Sequence, residues 1–255
     1  MTRSLLIRGM IAGLVAGLLL FAVGRTLGEP QVDRAIAFET AADEARAQAD
    51  AAAGHAPALP EPELVSRANQ AGLGLLTGTV VYGTAFGGLF ALCFAFTRGR
   101  AGPSDPRGLA LLLAAAGFLA VFLVPDIKYP SNPPSVGEPD TIGLRTALYF
   151  AMMACSVAAL ATAAVLHRRL LRARGAWPAA LLAAAFYASC MAAAMLLLPA
   201  VQEVPDGFDA VLLWRFRVAT LAMQFTMWAT LGLLFGALAD RLFSPAPARL
   251  RTATR

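Results

Sequence analysis

Charge is scarce in this 255-residue chain: 15% of its residues are Asp, Glu, Lys or Arg, 58% are hydrophobic, and the mean hydropathy is +0.63. An ordinary soluble domain carries about 25% charged residues, so the composition excludes that class and identifies an integral membrane protein. Histidine is scarcer still. His55 and His167 fall on opposite sides of the membrane in the topology derived below, which excludes a haem pair or a di-metal site built from histidine. The three cysteines, Cys93, Cys155 and Cys190, all lie inside apolar runs, so no disulfide framework is indicated and they read as packing residues. A glycine-rich phosphate loop, paired-cysteine zinc spacing and a His-Glu-x-x-His run are all missing. The chain is therefore not expected to be an enzyme, and one built on it would have to use carboxylates. No Asp, Glu, Lys or Arg stands at the middle of an apolar run, so charge declares no proton relay or buried ion site.

What is present is six runs with little or no charge, at residues 9–24, 68–97, 108–125, 146–166, 175–202 and 218–239. Each supplies most of the roughly 20 residues that a spanning helix needs. The first is shortest and relies on Arg8 and Arg25 snorkelling outward. The expected fold is all-α: one polytopic integral membrane domain over 1–255 with six predicted transmembrane helices. The N-terminal run is expected to be retained rather than cleaved, because Arg25 stands where a small-residue cleavage site would lie.

Basic residues set the orientation, since Lys and Arg are retained on the cytoplasmic side while acids contribute little. The N-terminus, 98–107, 167–174 and 240–255 hold 13 of the 21 basic residues, with Asp105 and Asp240 as their acids. The intervening segments, 25–67, 126–145 and 203–217, hold 8 basic and 14 acidic residues. Both termini are thus expected in the cytoplasm, with the acidic loops outside. The pI near 9.6 is then no nucleic-acid signature; it reflects arginines flanking helices, where they meet anionic lipid.

Gly9, Gly13 and Gly17 line one face of the first run, and Gly74/Gly78, Gly83/Gly87 and Gly232/Gly236 make further small faces for close helix packing. Residues 28–66 read as an Ala-rich acidic outer loop carrying a surface helix near 35–53, and 240–255 as a basic cytoplasmic tail. Taken as three helical hairpins, the chain shows an acid-then-Arg motif before each descending arm: Glu63 to Arg67, Asp140 to Arg145, and Asp209 to Arg215 and Arg217.

The most distinctive stretch is PDIKYPSNPPSVGEPDTIGLR, residues 125–145, whose five prolines hold it away from helix between two apolar runs. Together with the neighbouring loops it offers oxygen ligands suited to hydrated divalent cations: Glu29, Asp33, Glu39, Asn132, Glu138, Asp140 and Glu203. Converging loops would make an acidic vestibule. Arg34, Arg67, Lys128, Arg145, Arg215 and Arg217 would then serve in structural ion pairs, and the alternative is solvated loop charge with interfacial arginine.

In order along the chain, GEPQVDRAIAFE, ELVSRANQAGLGLLTGT, KYPSNPPSVGEPDTIGLRTALYF and VPDGFDAVLLWRFR resemble the CbtA family, which is taken to be a cobalt transporter subunit of bacteria. The resemblance implies a multi-pass protein of the bacterial inner membrane that carries cobalt, or a similar divalent metal, as substrate rather than cofactor. It also implies a link to cobalamin synthesis and a small CbtB-like partner with one span and a His-rich segment. Relatives carry several histidines in the first outer loop, whereas this chain has only His55 there. The metal-binding burden accordingly shifts to carboxylates or to the partner. The rival reading is a non-transporting membrane scaffold or assembly subunit.

The charge distribution makes a direct prediction: a reporter fused after Ala173 or at Arg255 reads cytoplasmic, and one inserted near Ala52 or Ser135 reads external. Termini on opposite faces would remove one of the six spans.

Overall fold

A backbone N–H or C=O in the hydrocarbon of a bilayer has no water to bind, so each apolar run must satisfy its own polar groups as helix. The computed structural model describes residues 1–54, 65–100, 102 and 105–243; His55, Glu63 and residues 244–255 of the basic tail lie outside them. Among the described residues six helices are long and apolar enough to cross a membrane: α1 (Thr2–Ala52), α2 (Arg67–Thr97), α3 (Pro106–Lys128), α4 (Pro139–Arg174), α5 (Ala176–Leu197) and α6 (Ala210–Phe243). No strand occurs among the described residues.

Helix α1 is continuous where the sequence reading places a loop and a separate surface helix. A π turn at Gly24–Gly28 carries it without a break into Glu29–Ala52. Pro30 does not stop it, because a proline in the first turn after a widened turn removes no regular intrahelical bond. At roughly 1.5 Å per residue the helix is about 75 Å long, far more than the roughly 30 Å hydrocarbon layer, so its second half projects beyond the membrane. Pro125 behaves similarly. It follows a π turn at Phe118–Leu123, and α3 runs on to Lys128, so the stretch expected to be non-helical from residue 125 becomes so only at Tyr129.

The closest packing is between α1 and α2. A Cβ added at Gly9, Gly13 or Gly17 would collide with the carbonyl oxygens of Gly87, Gly83 and Thr79 respectively, and one at Gly83 or Gly87 would strike the backbone of α1. Gly78, by contrast, faces open space, so the Gly74/Gly78 pair is not a packing face. A second small-residue contact joins α6 to α3, with Gly232 against Ala114 and Gly236 against Ala110. Phe90 and Phe94 of α2 then meet Phe235 of α6 edge-on at 5.4 and 5.1 Å, and Phe86 meets Trp228 at 5.1 Å. Helices α1, α2, α3 and α6 thus share one core.

Helices α4 and α5 form a peripheral pair, bonded through Ser156 Oγ and Tyr187 Oη at 2.7 Å and attached to the core through the end of α3. Helix α1 packs on both α2 and α6, α6 packs also on α3, and α4 packs on α5. Of the three hairpins read from the chain, only the first packs along its length. Helix α3 meets α4 only near its outer end and α5 does not pack along α6, so a parallel three-hairpin repeat is not the architecture.

The glycine contact yields a test. Gly13→Leu or Gly83→Leu should lower the thermal unfolding midpoint of the purified protein in detergent, by the equivalent of about 1–3 kcal/mol or more for overpacking. Gly78→Leu should be nearly neutral. Equal effects at Gly13 and Gly78 would count against the backbone contact.

Candidate functional site

The proline-rich loop after α3 is the hub of the outer face, a label for the end of the helices that carries this loop and the α1–α2 and α5–α6 connections. Lys128 Nζ donates to the Met195 carbonyl at the end of α5 (2.8 Å), and Tyr129 Oη donates to the Pro199 carbonyl just beyond it (2.8 Å). Burial pushes the Tyr129 hydroxyl above its usual pKa, consistent with a neutral donor. Ser131 donates its amide and hydroxyl to Asp126 Oδ1 (3.0 and 2.9 Å), closing the turn on itself. Ser135, in the left-handed region at φ 68°, donates to the Ala35 carbonyl on the projecting half of α1 (3.0 Å). Val136 is buried beside Ala35, Phe208 and Leu212. Gly137, at φ 120°, lies directly under the Arg145 guanidinium, where a Cβ would collide with it.

Glu203 fastens the far end of this loop. One oxygen, Oε2, accepts from the Glu138 amide (2.9 Å) and the Thr141 hydroxyl (2.8 Å) and lies 3.3 Å from Arg145 Nε. The Glu138 amide first, then Thr141 and Arg145, hold the Glu203 carboxyl below the ordinary carboxylate range. Arg145 also donates to the Glu138 carbonyl (3.3 Å). Asn132 Oδ1 accepts from Arg217 of α6 (2.9 Å).

These contacts surround an open cavity of about 960 Å³. Helical spacing assembles its walls: Arg145 with Tyr149 and Thr146 with Phe150 are four apart on α4, and Leu213 with Arg217 four apart on α6. Arg217 sits about 10 Å into α6 from its start, at about 1.5 Å per residue. Arg215 is turned away and lines a separate pocket of about 310 Å³ with Trp214, Thr26 and Pro30.

The expected site residues are therefore distributed differently from the vestibule reading. Glu29, buried, and Asp33 both engage Arg67, with Asp33 Oδ1 2.9 Å from its Nη2; they tie α1 to the start of α2. Glu203 and Asn132 are held by Arg145 and Arg217. Glu39 is exposed, 3.4 Å from Ser135 Oγ. The Glu138 and Asp140 side chains are exposed, without a bond to another described residue. Among the described residues no three His, Cys, Asp or Glu side chains converge to hold a metal ion, so the candidate ligands form no single acidic vestibule.

The acid-then-Arg pairs also re-sort. Asp140 precedes Arg145 by five positions, about 140° around a helix at roughly 100° per residue, so the two diverge and Arg145 takes Glu203 instead. Asp209 caps its own helix, accepting from the Val211 amide at 2.8 Å. Glu63 lies outside the described residues. Of the cations expected in ion pairs, Arg67 and Arg145 have acidic partners. Arg34, Lys128, Arg215 and Arg217 have no carboxylate at ion-pair distance among the described residues, although Arg217 interacts electrostatically with Asp126; Arg34 approaches Gln31 at 3.5 Å. The Lys128, Tyr129 and Arg217 contacts were missed because each partner is a carbonyl or amide oxygen that carries no charge in the sequence.

The Glu203 anchor is testable by amide exchange. Glu203→Gln should speed exchange of the Glu138 amide several-fold, while Asp140→Asn leaves it unchanged; the reverse order would refute the assignment. Because the folded carboxyl titrates below its unfolded value, this anchorage is complete above the ordinary carboxylate range and is lost as pH falls through the lowered folded value.

The family model described as "Probable cobalt transporter subunit (CbtA)" matches residues 2–240, nearly the whole chain. No curated protein and no solved structure matches the chain. With a match of that extent the chain belongs to the CbtA family, described as that of a probable cobalt transporter subunit, and its six apolar helices fit a multi-pass membrane protein.

Proposed function

We propose that this protein is the membrane-embedded subunit of a bacterial cobalt uptake system, seated in the cytoplasmic membrane with both termini inside and supplying cobalt for cobalamin synthesis. It works with a small single-span partner. The observation that carries this reading is the combination of six apolar helices with a family match over residues 2–240. How the outer carboxylates are used supports the reading that a partner takes part. Glu29, Asp33 and Glu203 are engaged by arginines, so they are poorly placed to give both oxygens to a metal as well. Glu39, Glu138 and Asp140 remain exposed at the outer face and can meet a hydrated cation. A partner bearing histidines would complete a coordination shell that these acids only begin.

A second reading, a scaffold that assembles another membrane complex, draws on the absence of a charged residue midway along any apolar run. Cobalt accumulation separates the two. Cells expressing the chain with a CbtB-like partner should accumulate cobalt above cells lacking either one, and joint replacement of Glu39, Glu138 and Asp140 by the corresponding amides should lower that accumulation at unchanged protein abundance. Flat accumulation with both subunits present would favour the scaffold, and full accumulation by this chain alone would remove the partner requirement.

A further inference from the structure

The cavity of about 960 Å³ has the wrong sign for a bare divalent cation. Lys128, Arg145 and Arg217 line it against one acid, Glu203, which leaves two positive charges in excess. Asp126, whose Oδ1 accepts from Ser131, interacts electrostatically with Arg217 and Tyr149 of the wall, and counting it reduces the excess to one positive charge. Like charges a few ångströms apart in a partly desolvated site repel strongly, so cobalt alone is not its ligand. The cations also hold donor capacity in reserve. Arg217 gives one N–H to Asn132 while its buried Nε has no hydrogen-bond partner. Arg145 Nε is likewise buried and lies at ion-pair distance from Glu203 without hydrogen-bond alignment. Neither Nε has surface open to the cavity, so a ligand there would meet other side-chain atoms of Arg145 and Arg217.

The shape narrows the acceptor further. A volume of about 960 Å³ is at the upper end of the roughly 300–1,000 Å³ typical of small-molecule sites and is far larger than a lone tetrahedral anion needs. Its lining also includes Ile127, Ile142 and Phe150, which are 63%, 56% and 55% exposed at the outer ends of spanning helices. Such side chains at the membrane boundary meet acyl chains. A ligand that matches both halves has an anionic head for the arginines and an apolar tail for that edge.

We propose that this cavity binds the phosphodiester headgroup of an anionic phospholipid, with Arg217, Arg145 and Lys128 supplying the charge and the Ile127, Ile142 and Phe150 edge receiving its acyl chains. The bound lipid would fill the space between the proline-rich loop, α4 and α6 and hold these elements together.

Titration of the purified full-length protein in detergent, with no metal present, tests the proposal. The probes are short-chain phosphatidylglycerol, short-chain phosphatidylcholine and inorganic phosphate. Phosphatidylglycerol should bind more tightly than phosphatidylcholine, and Arg217→Gln should weaken it about fivefold or more. Arg217→Lys should retain much of the binding, and Arg172→Gln, at the opposite end of α4, should leave it unchanged. Thr146→Glu places a carboxylate on an exposed position of the cavity wall and should abolish binding even if Arg217→Gln fails to fold. Equal affinity for the two lipids, or unchanged phosphatidylglycerol binding by the folded Arg217→Gln or Thr146→Glu protein, would overturn the site. Inorganic phosphate binding as tightly as phosphatidylglycerol, with the same sensitivity to these variants, would overturn the lipid assignment in favour of a free oxyanion. The outcome is independent of cobalt transport, since no metal enters the assay.

Discussion

Backbone against backbone along α1 and α2 is the contact on which the rest of the molecule depends. In lipid there is little hydrophobic drive between helices, because acyl chains are as apolar as leucine, and association comes from dispersion and close fit. Gly9, Gly13 and Gly17 meeting Thr79, Gly83 and Gly87 allow that fit over several turns. The consequence reaches past the membrane. Since α1 continues unbroken through its π turn, the pairing that holds its inner half also aims its outer half, where Glu29 and Asp33 meet Arg67 and the Ala35 carbonyl meets Ser135.

On that frame the outer face solves a problem of charge. An arginine near the hydrocarbon boundary is costly unless its donors are occupied, and a carboxylate brought out of water needs the same. Arg67 and Arg145 are matched with Glu29, Asp33 and Glu203, while Arg217 and Lys128 are given neutral oxygens from Asn132 and the Met195 carbonyl. Pairing two of the cations with neutral acceptors is what leaves the cavity positive. The exposed carboxylates of Glu39, Glu138 and Asp140 lie outside this arrangement, so acidic and basic groups share one face of the protein without pairing directly.

Much of the fold was legible because membrane insertion is governed by local composition. Six apolar runs became six helices, and the glycine faces at 9/13/17, 83/87 and 232/236 became helix contacts. Gly74 and Gly78 have the same spacing but no partner, since a small face states only that close approach is allowed. Prolines misled for a related reason. The sequence reading has a loop at Pro30 and a non-helical stretch from Pro125, yet each proline follows a π turn that absorbs the missing donor, and no residue pattern announces a π turn. The significance of the 125–145 stretch was legible in its density of prolines and polar groups; its partners were not.

The sequence by itself determined the membrane environment, the number of spans, the small-residue faces and the set of charged groups at the helix ends, because each depends on residue type and near-neighbour spacing. Only the tertiary structure decided that α3 packs on α6 rather than along α4, that Arg145 takes Glu203 in place of Asp140, and that Arg217 faces the large cavity while Arg215 faces another. Those choices turn on the relative rotation and depth of helices far apart in the chain. A rotation of about 100° per residue sends side chains two positions apart in nearly opposite directions, so the partner each one meets follows from how the helices pack.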